Sequence, residues 1–435
     1  MRVSNGVRTG AHIEAAIAIL DDVLSRHRPA PAALADWGKS HRFAGSSDRA
    51  VIGNLVYDAL RRQRSLAAQM GSDRPRALAL AAAPRALGLT QAATIASADG
   101  SPHAIAPLSE GEIAGLAREL PADAPAPVRG DYPDWLASSF ARAFGEAAAE
   151  EGAALARRAP VDLRVNTLKA DRDRVRKALA RFAPLATPYS PVGVRLPARD
   201  GAARQPNVEA EVGHGRGWFE VQDEGSQIAG LIANARPREQ VLDICAGAGG
   251  KTLLFAAQMR NTGQIYAYDE DPLRLRPILE RLKRAGVRNT QVLAAGDAGA
   301  LAALGPRFDL VFVDAPCTGS GAWRRRPDAK WRLKAANLEQ RQQQQKNALA
   351  AAAAHVKVGG RLVYATCSVL PEENGDQIAA FLANHPGFRK LHWRAAWAAG
   401  VGGEPPAGAS EHDLVLTPAR HGTDGFFIAT LARRE

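Results

Sequence analysis

Two of the chain's three cysteines stand where a thiol can do chemistry. Cys317 lies in Asp314-Ala-Pro-Cys-Thr-Gly-Ser-Gly321 and Cys367 in Tyr364-Ala-Thr-Cys-Ser-Val-Leu-Pro-Glu-Glu-Asn374, each directly after a run of strand character. If those strands are neighbours, about 4.8 Å apart, the loops share one sheet edge and both thiols face one pocket. A single cysteine is ordinarily a small buried hydrophobe, and Cys245, at the end of an earlier strand, keeps that reading. Two thiols in Gly- and Pro-containing loops point instead to nucleophilic catalysis, which splits one hard step into easier ones through a covalent adduct. Three widely spaced cysteines argue against a disulfide framework or a CxxC zinc site, so no metal is expected and a reducing cytoplasm fits.

A second constellation precedes them. Val241-Leu-Asp-Ile-Cys-Ala-Gly-Ala-Gly-Gly-Lys251 reads as an apolar strand entering a Gly-rich turn and then a helix over 252–259. Glycines let backbone approach a ligand closely, and the helix start offers unpaired N–H groups. Alone, the loop fits a dinucleotide site, a phosphate loop or a tight turn. Acids follow it at successive strand ends: Asp269, placed for ribose hydroxyls; Asp297, placed for an adenine amino group; and Asp314. Each alone is more often a cap or a solvated strand end; together they favour an adenosyl ligand, since open α/β sheets bind ligands beyond their strands' carboxyl ends. The expected cofactor contacts are Cys245, Ala246, Gly247, Gly249, Gly250 and Lys251 with Asp269, Asp297 and Asp314.

The elements that must position these groups alternate. Strands are expected at 240–245, 264–269, 291–295, 308–314, 361–366 and 426–431, with helices between, which predicts an α/β domain with a mainly parallel sheet. Before it, two amphipathic helices over 132–159, strands at 163–165 and 193–196 and a helix over 172–182 make a small α/β module. Helical spacing over 13–24 and 47–70, the second capped by Asp48, predicts a helical domain; 80–129 drifts to Ala, Pro and Gly and reads as weak helix and linker. The division is 1–130, 131–220 and 221–435. The 435 residues suffice for several cores, and the longest early apolar run, 15–20, is too short to span or anchor in a membrane.

A thiol suits one demanding acceptor. Carbon 5 of cytosine is too poor a nucleophile to take a methyl group from a sulfonium, but thiolate addition at carbon 6 makes an enamine whose carbon 5 can attack. Asp314 can hold the N3/N4 edge of such a base while Lys251 orients that carboxylate.

The chain resembles the Sun/Fmu (RsmB-like) RNA 5-methylcytosine methyltransferases. The likeness is carried by Arg164-Val-Asn-Thr-Leu-Lys169, Val221-Gln-Asp-Glu-Gly-Ser-Gln227, the Gly-rich loop, Asp314-Ala-Pro-Cys317 and Thr366-Cys-Ser368, in that family's order, and covers roughly 131–435. It implies a Rossmann-like class I methyltransferase domain, S-adenosylmethionine as cofactor, Cys367 as nucleophile and Cys317 as the residue that assists release of the adduct. The loop departs from the family's usual Cys-Ala-Ala-Pro-Gly-Gly-Lys at Gly247 and Ala248. The N-terminal helices, especially 48–61, look like a NusB-type RNA-binding domain; a helical extension that only scaffolds is the alternative.

A formal charge of +11 favours a polyanion. Between Trp323 and Arg341, seven basic residues meet two acids, with Trp323 and Trp331 interleaved, as expected for phosphate neutralisation with base stacking. A charge run is usually a solvated face. The expected RNA contacts are Trp323, Arg324, Arg325, Arg326, Lys330 and Trp331, with Asn166 of the first motif. The partner is then RNA, ribosomal ahead of transfer RNA, bound by a monomer whose target cytosine is flipped out. Competing readings are a methyltransferase acting on DNA cytosine or a small molecule, and an RNA-binding assembly factor with a degenerate cofactor pocket.

Overall fold

A computed structural model describes residues 5–408 and 410–434, which fall into two compact units. Among the described residues the helical unit comprises 5–159, 198–205 and 323–333; the second comprises 160–197, 206–322, 334–408 and 410–434. Two differences from the linear division stand out: the helices of 134–155 group with the helical unit, and so does the short segment 323–333.

The helical unit is built on Asn5–Ser25, Ser46–Arg61, Gln63–Met70 and Pro75–Leu87, whose apolar stripes (Ile13, Leu20, Leu55, Leu60, Leu78) meet in one core. The expected helix over 47–70 is two helices broken at Arg62, and Asp48 sits inside the first turn, accepting from the Gly45 N–H at 3.0 Å. Asp58, buried, accepts from both Arg61 (2.8 Å) and Arg158 (2.6 Å), while Arg158 also donates to the Arg199 and Gly201 carbonyls.

The second unit holds twelve strands among the described residues: β1 Val161–Val165, β2 Leu185–Ala186, β3 Gly193–Leu196, β4 Phe219–Val221, β5 Gln240–Asp243, β6 Gln264–Ala267, β7 Thr290–Val292, β8 Phe308–Asp314, β9 Val356–Thr366, β10 Phe388–Lys390, β11 Asp413–Leu416 and β12 Phe426–Arg433. The first four form an antiparallel sheet in the order β2-β3-β1-β4. The others form a Rossmann-like sheet, β10-β12-β9-β8-β5-β6-β7, parallel from β9 to β7 and antiparallel at β12, with β11 also on β12. Its central strands are buried on both faces, as parallel sheets covered by helices require.

The small sheet is fastened to its neighbour by buried polar groups. Asp162 on β1 binds Arg195 on β3 and accepts from the Glu224 N–H at 3.1 Å, at the start of the helix Glu224–Ala233. Glu220 on β4 is clasped by Arg281 and Arg284 of the helix Ile278–Ala285.

Candidate active site

The parallel register sets β5, β6, β8 and β9 side by side, so their carboxyl ends open on one edge. Following β5, the loop turns through Gly247 (φ +50°) and Gly249 (φ +82°), left-handed conformations that suit glycine; a Cβ on Gly249 would also lie 2.6 Å from Ile278. Where the resembled family has proline, the carbonyl of Ala248 accepts from Arg281 at 2.8 Å. Arg164 of the first motif reaches the Gly250 carbonyl at 2.6 Å. Hydrogen bonds from two arginines thus brace a loop that lacks a ring to stiffen it.

Asp269, after β6, is buried, accepts from the N–H groups of Gly247 and Asp271, each at 2.9 Å, and pairs with Arg274 at 3.5 Å beside the loop. Asp297 is exposed and caps the short helix Ala298–Ala302 through one oxygen. Asp243, which sequence reasoning passed over, lies fully buried at the end of β5. One of its oxygens accepts from Thr252 at 2.7 Å and the other has no partner; burial pushes its carboxyl up to about 7. The clue was an acid closing an otherwise apolar strand. A glycine cradle, a buried strand-end carboxylate and an orphaned buried oxygen together fit an adenosyl group with its polar tail.

Across the same edge, Lys251 donates to Asp314 at 2.7 Å, the lysine buried and the carboxylate partly open. Beyond Asp314, the sulfurs of Cys317 and Cys367 lie 3.3 Å apart. Hydrogen bonding to Cys367, then burial, pushes the Cys317 thiol well above the usual thiol range, so Cys317 keeps its proton beside its partner. Burial likewise raises the Cys245 thiol, which packs against the core behind β5. That thiol is held inert.

Glu373 ties the two cysteine loops together. Fully buried, it accepts from the Thr318 N–H at 2.8 Å, the Thr318 and Ser368 hydroxyls and the Gln345 amide at 3.0 Å, and burial raises its carboxyl above the usual range. The Gly321 N–H donates to the Cys367 carbonyl at 3.0 Å, and Gly321 lies so close to Gly425 that a Cβ would meet its carbonyl at 2.1 Å. Sequence spacing gave Glu373 no role, because a carboxylate beside a Pro in a loop reads as solvated.

The expected RNA contacts fare differently. Trp323 and Lys330 are 1% and 0% exposed, and Arg324 is buried. Trp323 stacks on Phe140, Lys330 donates to the carbonyls of Arg61 and Asp131, and Trp331 donates to that of Leu60 and packs on the helical core. Trp323, Arg324 and Lys330 are therefore corrected to interior groups of the helical unit: no base can stack on a ring already enclosed. Arg325 is half-buried and Arg326 exposed. Asn166 is also a scaffold group, buried and donating to the carbonyls of Gly217 and Ala285 at 2.9 Å each.

A family model for the 16S rRNA methyltransferase RsmB/F matches residues 231–432, and a ferredoxin-like domain of the RsmF/B-like methyltransferases matches 132–199. A probable ribosomal RNA small subunit methyltransferase B of Synechocystis sp. is 35% identical over 307 residues, covering 69% of this chain and 67% of that protein. The chain belongs to the RsmB/F family. Ribosomal RNA small subunit methyltransferase B of Sodalis glossinidius is similar at 33% identity, covering 75% of this chain and 73% of its own length. Among solved structures, a methyltransferase homolog protein from Pyrococcus horikoshii matches at 29% identity with a TM-score of 0.58, covering 71% of this chain and 97% of the other. An RsmB/F member is an rRNA methyltransferase, so its substrate is RNA. No helix among the described residues is long and apolar enough to cross a membrane.

Proposed function

We propose that this RsmB/F chain transfers a methyl group from S-adenosylmethionine to carbon 5 of a cytosine in small-subunit ribosomal RNA, through a covalent adduct on Cys367. The observation that carries this reading is the 3.3 Å approach of two thiols beyond the Lys251–Asp314 pair, on the edge where Asp269 overhangs the Gly-rich loop. Asp269 would take the ribose hydroxyls, Asp297 the adenine amino group, and the loop from Cys245 to Lys251 the rest of the cofactor, which supplies an electrophilic methyl when bound.

As the Cys367 sulfur adds to carbon 6 of a flipped cytosine, the ring electrons shift toward N3, which takes up the proton the thiol gives up; Asp314, oriented by Lys251, holds that N3/N4 edge and stabilises the charge. Carbon 5 of the resulting enamine would take the methyl group, the electron pair of the broken carbon–sulfur bond staying with the cofactor's sulfur. Loss of the carbon 5 proton to a base then returns the electron pair to the ring and breaks the bond between carbon 6 and Cys367, and the proton leaves N3 to restore the thiol. Cys317, protonated and in contact with the departing sulfur, assists that release.

Denaturing gel electrophoresis after incubation with ribosomal RNA tests the division of labour. Cys367→Ala should neither methylate nor crosslink; Cys317→Ala should leave a protein–RNA species that survives denaturation. The opposite pattern would reverse the roles of the two thiols. Full activity in both variants would remove covalent catalysis altogether.

A further inference from the structure

With Trp323, Arg324 and Lys330 inside the helical unit, the segment 323–333 offers RNA much less charge than its sequence suggests. The second unit carries a positively charged surface. A shallow cleft of about 480 Å³ is lined by Lys169, Gly215, Arg216, Glu280, Lys283 and Arg284. Two of its cations are committed to the scaffold: Lys169 donates to the carbonyls of Arg284 (2.6 Å) and Arg216 (3.3 Å), and Arg284 binds Glu220. They fix the shape of the wall.

Arg216 and Lys283 are exposed, and among the described residues neither pairs with an acid. Beside them, half-buried Trp218 has two guanidinium groups near its ring, Arg174 at 4.0 Å and Arg216 at 5.4 Å from the centroid. Two like charges near one indole are tolerated because the ring's electron-rich face attracts each of them. A guanidinium held near a ring loses rotamer freedom and keeps its N–H donors for phosphate oxygens. Arg176 and Lys177, exposed on the helix Arg172–Ala178, extend the same positive element.

We infer that the Arg174–Trp218–Arg216 stack and Lys283 form a phosphate-binding surface for the RNA backbone flanking the target nucleotide. Among the described residues its cations pair with no acid, two of them lie against one indole, and the cleft they border is shallow and open. That arrangement fits a polyanionic strand and gives affinity without reading sequence. The inference rests on the RNA substrate of the proposed function, and the test separates the two.

Binding of the full chain to transcribed 16S rRNA is measured from about 50 to 300 mM salt for the parent and for Arg216→Ala/Lys283→Ala. The variant should bind at least about tenfold more weakly at 100 mM salt, and its slope of log Kd against log salt should fall by about two, one per lost phosphate contact. Arg216→Lys/Lys283→Arg should restore the slope. Saturating RNA should restore kcat, since neither residue touches the reacting atoms. A parent that binds the transcript with a variant of unchanged slope overturns this surface alone. A parent that binds no RNA overturns the proposed function with it.

Discussion

The Thr318 N–H donates to Glu373 at 2.8 Å, joining the loop that carries Cys317 to the one that carries Cys367. Because Ser368, next to the second cysteine, donates to the same carboxylate, one buried side chain sets the spacing of both thiols. Replacing it by Ala removes the acceptor of the Thr318 N–H, of the Gln345 amide and of both hydroxyls at once, leaving buried donors unpaired. Glu373→Ala should therefore lower kcat by about a hundredfold, the scale of a misplacement near 1 Å, with KM for RNA little changed. The crosslinking assay adds a readout that loss of fold would not mimic: the variant should accumulate adduct, because release needs both thiols in contact. A variant with parental kcat would show that the loops keep their register without the carboxylate.

The Cys317 thiol is raised first by its hydrogen bond to Cys367. Removing that partner should let its titration fall. Alkylation by iodoacetamide, followed peptide by peptide with mass spectrometry, should show the Cys317 midpoint at lower pH in Cys367→Ala than in the parent. Identical midpoints would mean that burial alone sets the proton on Cys317 and that the two sulfurs are not coupled.

Asp243 offers a pH test of the cofactor strand. Its folded value of about 7 lies above the ordinary 3.8, so its contribution to stability is fully present below the unfolded value and is lost as pH rises through the folded one. Asp243→Asn has no such titration and keeps an oxygen for the Thr252 hydroxyl. Without added cofactor, the Tm of the variant relative to the parent should rise from about pH 4 to about pH 7 and then level off. A difference that stays constant over that range would show that the carboxyl is ionised in the folded chain.

Much of this protein was legible before folding was considered. Parallel strands linked by helices place every strand's carboxyl end on one edge, so the order of Asp269, Asp314, Cys317 and Cys367 along the chain already implied a shared site. The strands β5, β6, β8, β9 and β12 were legible because their apolar runs are long or closed by acids and glycines. By contrast, β10 is three residues, Phe-Arg-Lys, and β11 follows a Gly- and Pro-rich stretch; pairing with β12 makes them strands, and nothing local announces it. The tertiary structure alone decided which polar groups face inward. Lys330 and Asn166 look like RNA ligands in the sequence because donors suited to phosphate are equally suited to backbone carbonyls, and only burial distinguishes the two. Glu373 and the Arg174–Trp218–Arg216 stack were hidden for the same reason. Arg174 lies far from Trp218 in the chain, as Thr318 and Gln345 do from Glu373, and a contact between distant residues leaves no periodicity to read.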